Sequence, residues 1–126
     1  MATANIYLLF DGDCEEAFNH YKSIMGGEFS FIGRYKDIPP IEGIPPLSED
    51  EKNKIENICL PLNKNSVLMG SDGLESLGRR PLIGTNFSIY IEAESEDEAN
   101  KLFNGLAEDG QISMPMSKAH WGDYFG

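Results

Sequence analysis

Basic residues are scarce in this chain: 10 Lys and Arg stand against 21 Asp and Glu over 126 residues, a net charge of −11. A surface that neutralises phosphates needs clustered cations, and the one adjacent basic pair is Arg79-Arg80, so neither nucleic acid nor an anionic membrane is an expected partner. Cysteine is nearly absent: Cys14 and Cys59 form neither a disulfide framework nor a Cys/His ligand pattern, and both are expected as reduced thiols. No apolar run approaches the roughly 18–20 residues that span a bilayer, and the segment Met1-Ala-Thr-Ala-Asn5 lacks the basic and apolar regions of a signal peptide. The expected compartment is the cytoplasm. There are only two histidines, His20 and His120, which limits both acid–base and metal chemistry.

What is present is an apolar content of 40%, spread along the chain and sufficient for the core of one domain. It carries an internal repeat. Asp13-Cys-Glu-Glu-Ala-Phe-Asn-His-Tyr-Lys-Ser-Ile-Met25 aligns with Ser95-Glu-Asp-Glu-Ala-Asn-Lys-Leu-Phe-Asn-Gly-Leu-Ala107 at an offset of 82. Each segment opens with capping-box spacing, Asp13 with Glu16 and Ser95 with Glu98. Apolar residues then recur at helical spacing, Cys14, Ala17, Phe18, Tyr21 and Ile24 in the first, Ala99, Leu102, Phe103 and Leu106 in the second. Glycine turns, Gly26-Gly27 and Asp109-Gly110, close both helices.

β-like runs flank these helices: Ile6–Phe10, Phe29–Ile32, Ile55–Leu60 and Val67–Met69 in the first half, Phe87–Ile91 in the second. The turn Asn63-Lys-Asn65 predicts a hairpin between the third and fourth runs. The first half thus reads β-α-β-β-β over residues about 4–72, and a second unit occupies about 84–126, joined by residues 73–83 within a single domain. A second unit as long as the first would reach past residue 150, so its last strand or two are expected to be missing from this chain, either because the chain is cut short or because the repeat is open and leaves an edge for a partner chain to fill. Between the second and third runs, Lys36 to Lys54 carries Ile38-Pro-Pro40 and Ile44-Pro-Pro46 and then the capping-box spacing Ser48–Glu51, which predicts a stiff excursion ending in one helical turn.

Leu9-Phe-Asp-Gly-Asp-Cys-Glu-Glu-Ala-Phe-Asn-His-Tyr21 through Gly26-Gly27-Glu28, Ser66-Val-Leu-Met-Gly-Ser-Asp72, Glu98-Ala99 through Leu106, and Trp121-Gly-Asp-Tyr-Phe-Gly126 together resemble the PhnB-like branch of the glyoxalase/bleomycin-resistance (vicinal oxygen chelate) superfamily. The resemblance implies an α+β fold in which two β-α-β-β-β units form a cup-shaped mixed sheet, completed in a homodimer. It also implies, for the enzymes of the superfamily, a divalent metal held in the cup by His and Glu and acting as a Lewis acid. The strand corresponding to Ile55–Leu60 commonly presents a His and, two residues on, a Glu; this chain has Asn57 and Cys59 there. An amide and a lone thiol do not replace a His/Glu set, so no metal and no other cofactor is expected. A methyltransferase reading, which also travels with this family, lacks its glycine-rich loop after a strand, since Gly26-Gly27 follows a helix.

The candidate ligand-binding residues are therefore Asn57, Cys59, Met69, His120, Trp121 and Tyr124, with Trp121 and Tyr124 offering flat apolar faces and a polar handle. The same residues also suit core or dimer packing. Cys14 belongs to the apolar stripe of its helix and is expected buried and inert, while Arg79 and Arg80 are candidates for an anionic ligand group. Two functional readings follow. The first is a metal-free small-molecule-binding protein; the second is a metal-dependent lyase, isomerase or dioxygenase whose ligands come from a further strand or a partner subunit. No catalytic residue is singled out.

Overall fold

The computed structural model describes all residues from Met1 to Gly126, which form two compact units, Met1–Ile83 and Gly84–Gly126. In the first unit the chain runs through β1 (Ile6–Phe10), α1 (Cys14–Met25), β2 (Phe31–Arg34), a 3-10 turn at Tyr35–Asp37, α2 (Glu49–Lys52), β3 (Ile55–Asn63), β4 (Ser66–Asp72) and a second 3-10 turn at Glu75–Leu77. This is the expected β-α-β-β-β order. The four strands form one mixed sheet in the order β1-β4-β3-β2, with β1 parallel to β4 and the other pairs antiparallel. The hairpin at Asn63–Asn65 forms as expected, the Asn63 side chain accepting from the backbone N–H of Asn65 at 2.8 Å.

Alternation along the strands sends one set of side chains to α1. Ile58, Leu60 and Leu68 meet Phe18 and Cys14 of the helix in a core to which Leu8, Phe10, Tyr21, Phe29 and Leu62 add their edges. Full burial of a side chain such as Phe18 or Ile58 contributes roughly 1.5–3 kcal/mol. The contact is close: a Cβ at Gly70 would lie 2.7 Å from the Phe18 ring and 3.0 Å from the Leu8 carbonyl, so only glycine lets α1 approach β4. An irregularity between Gly33 and Arg34 shifts the register, Gly33 facing Asn57 and Arg34 facing Ile55, which leaves Glu56 as the extra residue.

The expected capping box of α1 is not formed, because Asp13 makes no side-chain cap. The cap comes instead from the far end of the sheet. Asp72, buried at the end of β4, accepts from the N–H groups of Gly12 and Cys14 through Oδ1, both at 3.0 Å, and from the N–H of Ile55 through Oδ2 at 2.9 Å. A long-range acceptor wins because β4 delivers it, already desolvated, to the positive end of the helix. Arg34 clamps the same region from outside, donating to Glu15 and, at 2.8 Å, to the carbonyl of Asn53. At residues 48–52 the expected box does form, Ser48 and Glu51 capping each other.

In the second unit the structure places α3 (Glu96–Ala107) and a two-residue-per-strand hairpin of β5 (Ser117–Lys118) with β6 (Tyr124–Phe125). Ser95 caps α3 by accepting from Glu98 N–H at 3.1 Å, while the Glu98 carboxylate reaches the N–H of Glu94 rather than that of Ser95. The strand expected over Phe87–Ile91 belongs to no sheet. A strand is held by its ladder, and in its own unit the run has no neighbour to supply one. No residue of this unit is fully buried. No helix of the protein is long and apolar enough to cross a membrane.

These clamps carry two stability predictions. Asp72→Asn puts an amide against three backbone donors and is expected to lower the unfolding free energy by about 2–4 kcal/mol in urea titration; a loss below about 1 kcal/mol would show that Asp72 is not the clamp described. The hydrogen bond from Arg34 holds the Glu15 carboxyl below its ordinary value of 4.5. A depressed folded-state value stabilises above the unfolded value and is lost as pH falls through the folded one. Glu15→Gln should therefore cost less than about 1 kcal/mol at neutral pH, the pair being half-exposed, and the gap to the parent protein should close as pH drops below 4.5.

Candidate functional site

The face of the first sheet opposite α1 is where three of the candidate residues come together. Register places Tyr7 of β1 opposite Met69 of β4, Met69 opposite Cys59 of β3, and Cys59 opposite Phe31 of β2. Residues opposed in a ladder share a face, so these four side chains form one continuous row across the sheet. Its ends are open, with Tyr7 48% and Phe31 52% exposed, and its centre is half-buried. Asn57 lies one alternation along β3 on the same face; its Oδ1 accepts a long hydrogen bond of 3.4 Å from the Tyr7 hydroxyl. Opposite it Gly33 has no side chain, and the Phe31 ring occupies that space, 3.0 Å from where a Cβ would stand.

Tyr7 and Phe31 share this face with the candidate residues, and the sequence does not single them out. Both are aromatics in β-like runs, but which alternation faces away from the helix depends on the pairing register. Leu9 and Ser71 are opposed on this same face, and Ser71 is fully buried with no hydrogen-bond partner for its hydroxyl. At the end of β2, Tyr35 is buried and donates to the carbonyl of Asp72 at 2.6 Å. Burial pushes its hydroxyl above the ordinary value, Glu56, Asp72 and Tyr7 acting the same way while Arg79 opposes them. Arg79 is exposed, and its carbonyl fills the space beside Gly73, 1.9 Å from where a Cβ would be, so Gly73 tolerates no side chain. Arg80 stands 3.9 Å from Asp11, both more than half exposed, a pair worth little.

The other three candidates sit on the hairpin of the second unit. Trp121 and Tyr124 line a hollow of about 860 Å³ along the apolar stripe of α3, together with Leu102, Phe103, Leu106 and Phe125. Tyr124 donates to the Asn100 side chain at 2.6 Å, and the Trp121 indole N–H donates to Asp123 at 2.8 Å. His120 packs edge-on against Trp121, ring centres 4.7 Å apart, and is not among the residues lining the hollow.

The metal implied by the resemblance finds a poor donor set. Asn57 offers an amide oxygen that accepts from Tyr7, and Cys59 stands opposite Met69 and Phe31 in the ladder, so the two do not fit a centre built from imidazole and carboxylate. Cys14 is similarly unsuited to chemistry: burial, then the charges of Asp72, Asp13 and Glu15, push its thiol up to about 12, overriding the helix N-terminus that would lower it.

The first unit has the architecture of an α+β protein whose mixed sheet is covered by one helix on one face and open on the other. No family model matches the chain. It is similar to protein YjdN of Escherichia coli (strain K12), 24% identical over 125 residues that span 95% of this chain and 82% of YjdN. Among solved structures, protein PA1353 from Pseudomonas aeruginosa matches with a TM-score of 0.79 at 30% identity, over 98% of this chain and 86% of that one. A Bacillus cereus PhnB protein, described as a putative 3-demethylubiquinone-9 3-methyltransferase, matches with a TM-score of 0.73 at 26% identity, over 99% and 88%. The chain belongs to the PhnB-like family, and its fold implies the glyoxalase/bleomycin-resistance superfamily.

Thiol titration separates the two cysteines. With Cys14 buried and its thiol at about 12, and Cys59 half-buried on the open face, a disulfide reagent at pH 8 is expected to react with one thiol per native chain and two after denaturation. Two fast-reacting thiols in the native protein would contradict the placement of Cys14.

Proposed function

We propose that this protein binds a small apolar or aromatic molecule on the open face of the first sheet, without a metal, as a cytoplasmic homodimer. The row Tyr7–Met69–Cys59–Phe31 carries the reading. Two aromatic rings at its ends and two polarisable sulfur side chains at its centre make a flat surface with no ionised group in the row, suited to dispersion contacts with a planar body. The Asn57 amide and the Tyr7 hydroxyl offer the polar contacts that orient a ligand, as a few placed polar groups do in apolar sites. Asn57 and Cys59, standing where metal enzymes of the superfamily present His and Glu, support a binding role over Lewis-acid chemistry. The methyl-transfer function named for the Bacillus cereus relative does not carry over, since Gly26-Gly27 closes a helix rather than opening a cofactor loop after a strand.

The test uses the uncharged fluorophore N-phenyl-1-naphthylamine with the intact protein. Saturable binding is expected, weakened about tenfold by Phe31→Ala, the loss of about 1.4 kcal/mol of contact. The same preparation, grown with Zn, Ni, Mn and Fe, is expected to hold far less than one metal per chain by elemental mass spectrometry. Stoichiometric metal would favour the lyase, isomerase or dioxygenase reading, and binding indifferent to Phe31 would move the site elsewhere.

A further inference from the structure

The irregularity between β2 and β3 redirects one carboxylate. By simple alternation Glu56 belongs with Ile58 and Leu60, which enter the core beneath α1. The extra residue breaks that alternation: Arg34 stands opposite Ile55 and Gly33 opposite Asn57, so Glu56 is turned out of the core. Its Oε2 lies 3.7 Å from the point where a Cβ of Gly33 would stand, and the Phe31 ring lies 3.0 Å from the same point. Gly33 and Phe31, two residues apart on β2, share the open face, so the Glu56 carboxylate stands on that face beside the ring that ends the apolar row.

Nothing in the chain neutralises this charge. Glu56 is half-buried, and none of the protein's salt bridges involves it. The cations nearest to it in sequence are committed elsewhere, Arg34 to Glu15 and the carbonyl of Asn53, Lys54 to the carbonyl of Gly12. Arg79, whose charge reaches Tyr35, is exposed and forms no salt bridge. The rung of the sheet beside Glu56 runs from Leu9 through Ser71 and Asn57 to Gly33. Ser71 on that rung is fully buried, and its hydroxyl has no partner. A polar group buried in that way marks a place that calls for a further hydrogen-bonding group.

We propose that the open face selects a planar aromatic ligand bearing a cationic nitrogen, of the arylalkylammonium type, and that Glu56 is the residue that selects it. This rests on the binding reading above and specifies the class of ligand. An ammonium group beside Phe31 gains a charge-assisted hydrogen bond from Oε2 and the attraction of the ring face, while the aromatic body lies along the row. A carboxylate or phosphate in the same place meets an unpaired like charge in a chain of net charge −11. Glu56 is thus a specificity residue, distinct from Phe31, which supplies contact to charged and uncharged ligands alike.

The test displaces N-phenyl-1-naphthylamine from the intact protein with two ligands of one shape, 1-naphthylmethylamine, protonated at pH 7, and the uncharged 1-naphthalenemethanol. In physiological salt, which screens distant charges beyond about 8 Å, the amine is expected to bind about tenfold more tightly than the alcohol. Glu56→Gln, with a parent-like thermal melt, is expected to abolish that preference and leave the affinity for the alcohol unchanged. Glu16→Gln, an equal change of charge at an exposed position of α1 on the other side of the sheet, is expected to preserve it. Equal binding of amine and alcohol by the parent protein would overturn the proposal, and so would a preference that survives Glu56→Gln. A loss of preference as large in Glu16→Gln would also overturn it, assigning the effect to net charge. In each of these cases, binding of the alcohol that Phe31→Ala weakens would leave the open-face reading standing. Failure of the fluorophore and of both ligands to bind would overturn that reading together with this one.

Discussion

The first unit depends on one buried side chain. Asp72 ends β4 inside the protein, where its carboxyl oxygens take up three backbone N–H groups from two other stretches of chain, Gly12 and Cys14 at the start of α1 and Ile55 at the start of β3. The donors of Cys14 and Ile55 would otherwise be orphans in a dry place, and losing either bond would leave a desolvated polar group. Around this point the backbone is drawn in further, Gly73 N–H donating to Phe10 at 2.7 Å and the Tyr35 hydroxyl to the Asp72 carbonyl. One residue thereby sets where β1 ends, where α1 begins, and where β3 starts beside β4.

With α1 pinned at its first turn, its apolar stripe lies on one face of the sheet and leaves the other open. The division is strict because strand side chains alternate. Ile58, Leu60 and Leu68 are in the core, while Cys59 and Met69, their chain neighbours, are on the far side. The same pinning buries Cys14 among acidic neighbours and makes it the inert thiol, whereas Cys59 is left on the face proposed to bind a ligand. The proposed binding role thus falls on residues that the core does not consume.

The second unit shows how much a helix depends on its surroundings. α1 and α3 come from aligned segments at an offset of 82 and are both 12 residues long, yet α1 buries Cys14 and Phe18 while α3 buries nothing. The difference lies in the sheet. α1 has four laddered strands beneath it, and α3 shares its unit with a hairpin of two residues per strand and with Phe87–Ile91, which has no ladder. Amphipathic patterning specifies an apolar face, and something must still cover that face.

Much of this protein is legible in the sequence because the signals are local. Helical spacing places α1 and α3, alternating and β-branched runs place the strands of the first unit, and Ser48 with Glu51 places the short α2. The motifs around Gly12, Gly70 and Trp121 point to the family. Three features are not readable there, each for the same reason. The cap of α1 comes from Asp72, 58 residues from Cys14, and not from the neighbouring Asp13. The row that joins Tyr7 and Phe31 to Cys59 and Met69 depends on which residues of four separate strands stand opposite one another. Whether Phe87–Ile91 becomes a strand depends on finding an edge to pair with. Local propensity and periodicity act over a few residues and are written in the chain; long-range acceptors, register and ladder partners exist only once distant segments meet, and only the tertiary structure decides them.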